Sequence, residues 1–318
     1  MKYVALRVLE ILRSRSGYVS GSEIAKELGL SRSTINKIVN ELRRVGYVIE
    51  THPRLGYRLL DVDDLSLAPQ YPPIVEGRRI SIHYLERCGS TQDVADSLAR
   101  EGAPEGTIVV AEELTNARGR LSRKWFAPRG GLWLTVVLRP RFVEYLHALS
   151  LAVGVAISKA LESLLGVETR LKWPNDVLLN GRKLGGVLIE ARAEADRVDY
   201  VLVGIGINVN NDLPPEVERV ATTLSKELGR RVPRVPLLRA VIRSLFDEYD
   251  RILRGRVSDV VRDWKERSAT IGRRVRVRLV DGSVIEGSAV DVDSVGRLVV
   301  ESQGVRHVVD AGDVEHVG

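Results

Sequence analysis

Hydrophobic residues recur along the first sixty positions with the 3.6-residue spacing of short amphipathic helices. Val4, Val8, Ile11 and Leu12 share one face of a first helix. Ser20-Gly21-Ser22-Glu23 then has capping-box spacing, in which the Ser20 hydroxyl accepts from the Glu23 amide while the Glu23 carboxylate reaches back. The second helix so begun stops at Gly29, where a left-handed turn meets no Cβ. Leu30-Ser31 opens a third helix that turns Ile35, Ile38, Val39 and Leu42 inward, which makes the pair a helix-turn-helix. Residues 47–50 and 57–60 alternate around Thr51-His52-Pro53-Arg54-Leu55-Gly56, the pattern of a β-hairpin wing.

Periodicity lapses over residues 61–77, which collect Asp61, Asp63, Asp64, Pro69, Pro72 and Pro73; an extended linker is expected there. Strands follow at 81–85 and 107–111 around a helix at 92–100, and another at 132–138. A long apolar helix spans about 143–165, and strands return near 170–172, 177–179, 183–193 and 198–209. Helices at 236–254 and 257–267 precede short alternating strands over 274–317, broken at Asp281-Gly282, Ser294-Val295-Gly296 and Gln303-Gly304, which suit a small β-barrel. Such a mixture predicts an α+β protein with a central mixed sheet rather than a regular βαβ wind. The expected division is a winged helix-turn-helix at 1–62, a linker at 63–78, a central catalytic domain at 79–270 and the small barrel at 271–318.

Charge changes this picture chiefly at the N-terminus. The net charge is +6, yet residues 1–61 hold 11 Lys and Arg against 6 Asp and Glu, leaving 37 against 36 elsewhere. A basic module on a near-neutral body points to a polyanion met by that module alone. The outer face of the third helix offers Arg32, Ser33, Thr34, Asn36 and Lys37, and the wing offers Arg54, donors suited to phosphates and base edges of an operator DNA. The single cysteine, Cys88, excludes an internal disulfide, and five histidines form no cluster at zinc spacing, so no structural metal is expected. The apolar run 149–157 is too short and interrupted to span a bilayer and no signal-peptide pattern stands at the N-terminus, so no membrane partner and a cytoplasmic location are expected.

Three clusters carry the chemistry. Ala117-Arg118-Gly119-Arg120-Leu121-Ser122-Arg123-Lys124-Trp125 packs four cations around one glycine; such density is repulsive unless an anion arrives, which suits a polyphosphate. Lys172-Trp173-Pro174-Asn175-Asp176 is followed by Arg182-Lys183-Leu184-Gly185-Gly186, where two glycines at a strand start mark a close approach. Gly204-Ile205-Gly206-Ile207-Asn208 places Gly204, Gly206 and Asn208 on one strand face as a floor. Without a third glycine and a following helix this is no dinucleotide fingerprint, and no Walker loop is present.

With Ser90-Thr91 in front, these clusters stand in the order that resembles the biotin protein ligase family, over about residues 80–271. The winged helix ahead and the small barrel behind resemble the bifunctional type, ligase and biotin operon repressor in one chain. The resemblance implies a fold of the class II aminoacyl-tRNA synthetase kind and two steps: the biotin carboxylate attacks the ATP α-phosphorus to give biotinyl-adenylate, and biotin passes to a lysine of a biotin carboxyl carrier protein. It implies catalytic roles for Lys183 and Arg120, and biotin contacts from Ser90, Thr91, Arg118, Lys183, Gly185, Gly186 and Gly204. ATP contacts would come from Arg118, Arg120, Arg123, Lys124, Trp125, Asn175, Asp176 and Asn208, with Trp125 stacked on adenine and Asp176 beside Mg2+. A homodimer that represses when liganded is expected from the same resemblance. The family loop usually reads Gly-Arg-Gly-Arg-x-Gly-Arg after Gln-Thr, whereas this chain has Ala117, Ser122 and Leu114, and Leu114 donates no hydrogen bond. A lipoate-type acyl-adenylate ligase and a ligand-sensing regulator without turnover are the alternatives.

Overall fold

A computed structural model describes residues 2–15, 17–140, 146–194 and 197–317. The N-terminal part is α1 (Lys2–Ser14), α2 (Gly21–Leu28), α3 (Arg32–Val45), β1 (Val48–His52) and β2 (Gly56–Leu60). Ser20 caps α2 by accepting from the Glu23 amide at 3.1 Å, and Gly29 ends it at φ 67° as expected. The Glu23 carboxylate faces Arg15 at 3.7 Å rather than the cap, leaving the capping box half-built. Ile35, Ile38, Val39 and Leu42 are buried, and β1 and β2 pair antiparallel.

The expected linker is not simply extended: residues Leu65–Gln70 form a 3-10 helix. Asp64 caps it by accepting from the Ser66 amide at 2.9 Å, and Leu65 and Ala68, which a three-residue turn places on one face, are fully buried. Pro69 near its end cannot donate to the Ser66 carbonyl, but the turn is held on either side by the Leu67 amide donating to the Asp64 carbonyl at 3.1 Å and the Tyr71 amide to the Ala68 carbonyl at 3.0 Å. Asp63, just before it, pairs with Arg231 at 2.8 Å and Arg234 at 2.7 Å. Burial pushes the Asp63 carboxyl up, but the bonds and charges of those two arginines outweigh it and hold the group below the usual range.

The body comprises β3 (Ser81–Cys88), α4 (Thr91–Arg100), β4 (Thr107–Leu114), β5 (Leu132–Leu138), α5 (Leu146–Leu165), β6 (Arg170–Lys172), β7 (Asp176–Leu179), β8 (Arg182–Glu194), β9 (Arg197–Ile207), α6 (Leu224–Leu228), α7 (Arg234–Leu253) and α8 (Val257–Glu266). Seven strands make one sheet in the order β3-β4-β5-β9-β8-β7-β6, with only β3 and β4 parallel. Helix α5 is long and apolar enough to cross a membrane by composition, contrary to the sequence reading, but 72% of that stretch is buried inside the molecule, as befits a core helix. Its expected first residues, 143–145, lie outside the described residues.

Side-chain alternation divides the sheet faces. Ile108, Val110, Leu134, Val136, Val203 and Ile205 join the core with α5 and α7, while Val109, Val137 and Leu202 pack under Ala95 and Ala99 of α4. Beyond α4 that second face continues as two cross-strand rows, Thr135-Gly204-Leu188 and Trp133-Gly206-Gly186-Asp176.

The C-terminal part is β10 (Arg274–Leu279), β11 (Val284–Val292), β12 (Leu298–Ser302), β13 (Val305–Val309) and β14 (Gly312–His316), an antiparallel sheet in the order β13-β12-β11-β10-β14. Val275, Val277, Ala289, Val292, Leu298 and Val300 form its buried side. Helix α7 also fastens the winged helix to the body: Arg239 donates to the carbonyls of Gly46 (3.2 Å) and Tyr47 (2.9 Å), and the Tyr47 hydroxyl donates to the Leu164 carbonyl at 2.9 Å.

Candidate active site and nucleic-acid face

The glycine rows leave a hollow beside the N-terminal end of α4, because side chains there would fill it. A Cβ on Gly206 would come within 3.1 Å of the Trp125 indole nitrogen, and one on Gly204 within 3.2 Å of the Gln92 amide. A cavity of about 210 Å3 results, walled by α4, the sheet and the basic loop. The loop is a small hairpin: Gly119 N donates to Arg123 O at 2.7 Å and Trp125 N to Ala117 O at 3.0 Å, with Leu121 left-handed at φ 54° at its tip.

Twelve of the expected residues come together at this cavity: Ser90, Thr91, Arg118, Arg120, Arg123, Lys124, Trp125, Asn175, Asp176, Lys183, Gly186 and Gly204. Ser90 caps α4 by accepting from the Gln92 amide at 3.2 Å, and Thr91 accepts from the Thr135 hydroxyl at 2.9 Å. Lys183 Nζ lies 2.6 Å from Asp176 Oδ1 and 5.2 Å from the centre of the Trp125 ring. Asn175 Nδ2 donates to the Val187 carbonyl at 2.7 Å, which holds the start of β7 against β8. The Trp125 ring meets Trp133 edge-on at 6.3 Å, and its buried indole N–H has no partner among the described residues.

The four loop cations differ in their surroundings. Arg118 reaches Asp93 at 2.7 Å and grips Glu190 with two bonds of 3.2 Å; those bonds raise its pKa above the ordinary guanidinium value. Arg123 forms a two-bond pair with Asp313 of β14, one bond being 2.8 Å. Arg120 donates to the Gly312 carbonyl at 3.3 Å, and burial pulls its pKa down. Lys124 is exposed. A guanidinium half-buried against a carbonyl is poised to gain from an arriving anion.

Two expected residues stand outside the cavity wall. Gly185 belongs to the opposite face of β8, where a Cβ would strike the Gly206 carbonyl at 2.6 Å. Strand β9 ends at Ile207, so the alternation does not carry Asn208 onto the floor; its side-chain oxygen accepts from Asn211 at 3.3 Å. Sequence reasoning missed Gln92, Glu190, Asp313 and Trp133. Gln92 adjoins Ser90-Thr91 and was within reach, whereas Asp313 is brought in by the C-terminal sheet, with no local signal. Among the described residues no group of three or more His, Cys, Asp or Glu converges as a metal cage requires.

On the N-terminal part, Arg32, Ser33, Asn36 and Lys37 are exposed along α3. Thr34 is half-buried, its hydroxyl 2.8 Å from the Ser31 cap. Arg54 is exposed in the β1–β2 turn, where His52 Nδ1 accepts from the Arg54 and Leu55 amides.

The Biotin/lipoate A/B protein ligase family model matches residues 84–208, an HTH domain model residues 4–58, and the Biotin protein ligase C terminal domain model residues 270–317. The chain is 35% identical over 308 residues to the bifunctional ligase/repressor BirA of Bacillus subtilis, covering 94% of each chain. It is 38% identical over 267 residues to the biotin--[acetyl-CoA-carboxylase] ligase of Mycobacterium tuberculosis, covering 80% of this chain and 96% of that one. The biotin protein ligase of Aquifex aeolicus in complex with biotin and ATP aligns with a TM-score of 0.67 at 28% identity, over 74% of this chain and 99% of that chain.

Proposed function

The chain belongs to the biotin protein ligase family, in its bifunctional ligase/repressor form, and from that premise we propose how its own residues divide the work. The protein is an ATP-dependent ligase that makes biotinyl-5'-AMP and transfers biotin to a carrier lysine. Two anions must meet for the first step, the biotin carboxylate and the triphosphate. Lys183, held 2.6 Å from Asp176 at the cavity floor, bridges the carboxylate and the α-phosphoryl group, with the half-buried Arg120 lining the same cavity. Pyrophosphate leaves as the carboxylate oxygen bonds to the α-phosphorus. Arg118, Arg123 and Lys124 take phosphate charge, and Trp125 offers an aromatic face to adenine. Asn175 positions the nucleotide through its grip on β8, and Asn208 reaches it only through the loop it closes.

Ser90, Thr91, Gly186 and Gly204 form the biotin end, and Gly185 supports it from beneath. Asp176 is one carboxylate already paired to a lysine, which suits a Mg2+ ion carried in on the phosphates of ATP rather than a resident metal. In the second step the carrier amine attacks the acyl carbonyl and AMP departs; the basic hairpin over the cavity excludes water from the mixed anhydride. The N-terminal module binds operator DNA through Arg32, Ser33, Thr34, Asn36, Lys37 and Arg54. The liganded protein acts as a cytoplasmic homodimer joined through the central sheet, of which β3 and β6 are the outer strands, Leu171 of β6 being already bridged to Ser268.

The observation that carries this reading is the gathering of Lys183, Asp176 and the basic hairpin over a glycine floor. Mass spectrometry of a carrier domain incubated with the protein, biotin and ATP tests it. One biotin on one lysine is expected, with the rate down about 100-fold or more for Lys183→Ala. Pyrophosphate release without carrier labelling would mark a protein that only senses the adenylate.

A further inference from the structure

One polar group in the cavity has no task in the scheme above. Gln92, one residue past Thr91, is 4% exposed and lines the cavity. Its Nε2 donates to Glu190 Oε2 at 3.1 Å, which settles the orientation of the amide: nitrogen toward the carboxylate, oxygen away from it. That Oε1 is buried and has no hydrogen-bond partner among the described residues. Buried acceptors are rarely left so, because an unpaired one forfeits its hydration for nothing.

The oxygen is aimed rather than misplaced. Gly204 clears its space, since a Cβ there would lie 3.2 Å from both Cδ and Oε1 of Gln92. Glu190 is itself held by two bonds from Arg118, so the amide is fixed from the basic hairpin inward. Leu114, on the same cavity wall, has no polar group to share the duty.

Resting on the biotin ligase reading, we infer that Gln92 Oε1 is a specificity determinant that accepts a hydrogen bond from a ureido N–H of biotin, with Glu190 as its positioning residue. An unpaired acceptor selects a ligand with a ring N–H. The dithiolane of lipoate has none and would bury the oxygen unpaired, the kind of mismatch that polar sites reject most strongly.

Calorimetry on the full chain tests this with biotin and two analogues, each methylated on one ureido nitrogen. Gln92→Met keeps the side-chain length and loses the acceptor; it is expected to weaken biotin about 10- to 100-fold while ATP binding stays within about twofold. For one methylated analogue the same variant should cost less than about threefold, because that ligand has already lost the bond. Glu190→Gln still offers an amide oxygen to Gln92 Nε2 and should retain most of the affinity that Glu190→Leu loses. A biotin affinity unchanged in Gln92→Met, or an equal loss for biotin and both analogues, overturns the inference. Should Gln92→Met fail to fold, a crystal of the wild-type protein with biotin decides. Gln92 Oε1 within about 3.2 Å of a ureido nitrogen upholds the inference, and a gap beyond about 4 Å overturns it. Failure of the underlying reading is separate, since the wild-type protein would then bind no biotin at all.

Discussion

Arg234 shows how much one side chain can carry. It is 5% exposed and pairs with Asp63 before the 3-10 helix and with Glu112 of β4, each at 2.7 Å. Glu112 in turn accepts from the Gly130 amide at 3.2 Å. Removing the guanidinium strands a buried carboxylate, so Arg234→Met should lower the unfolding free energy by about 3–5 kcal/mol, read from urea titrations followed by circular dichroism. A loss under about 1 kcal/mol would mean that water replaces the guanidinium at Glu112. None of these partners is a neighbour in the chain, and no sequence pattern announces the pairing. Lys183 and the four basic loop residues were legible because their kind and density make no sense in a core. Gln92 and Glu190 were not, because an amide and a carboxylate look ordinary until burial shows that one oxygen lacks a partner.

At the scale of elements, legibility followed periodicity. Strand β5 and helix α5 are long, apolar and bounded, and the chain forms them where the pattern puts them. The 3-10 helix was hidden because Leu65 and Ala68 supply only two apolar positions among prolines and acids, too few for any period. Asn208 misled because alternation extends only while the strand does, and β9 stops one residue earlier. The basic hairpin is held from outside by elements that it does not adjoin in sequence: Arg123 by Asp313 and Arg120 by the Gly312 carbonyl, both in β14. Those contacts favour the closed hairpin. Asp313→Ala should therefore open it and speed biotinyl-adenylate release several-fold, while the initial rate of adenylate formation changes less. Stopped-flow fluorescence of Trp125 and filter retention of the adenylate measure the two rates. An unchanged release rate would mean that the nucleotide phosphates alone hold the hairpin shut.

For the whole molecule, the issue is how a basic module of roughly sixty residues stays joined to a near-neutral enzyme. It is not loosely tethered: Arg239 of α7 holds the Gly46 and Tyr47 carbonyls, and a Cβ on Gly46 would lie 2.7 Å from the Pro236 carbonyl. Burial pulls the Arg239 pKa down to about 10, so its charge is tolerated there for the two bonds it makes. Because the winged helix is seated on the body, each protomer of a dimer would present α3 and Arg54 at a fixed spacing. Operator affinity should then rise with biotin plus ATP, since linkage requires that a ligand favouring the dimer favour whatever binds the dimer. It should also fall steeply with salt, because counterion release scales with the phosphates that the two modules neutralise. Arg54→Ala is expected to flatten the log–log salt slope by about one per protomer and to weaken all sequences alike, whereas Asn36→Ala should cost about 1–3 kcal/mol on the cognate site alone. Anisotropy titrations at several salt concentrations separate the two. A salt slope unmoved by Arg54→Ala would place the wing clear of the backbone and leave α3 to dock alone.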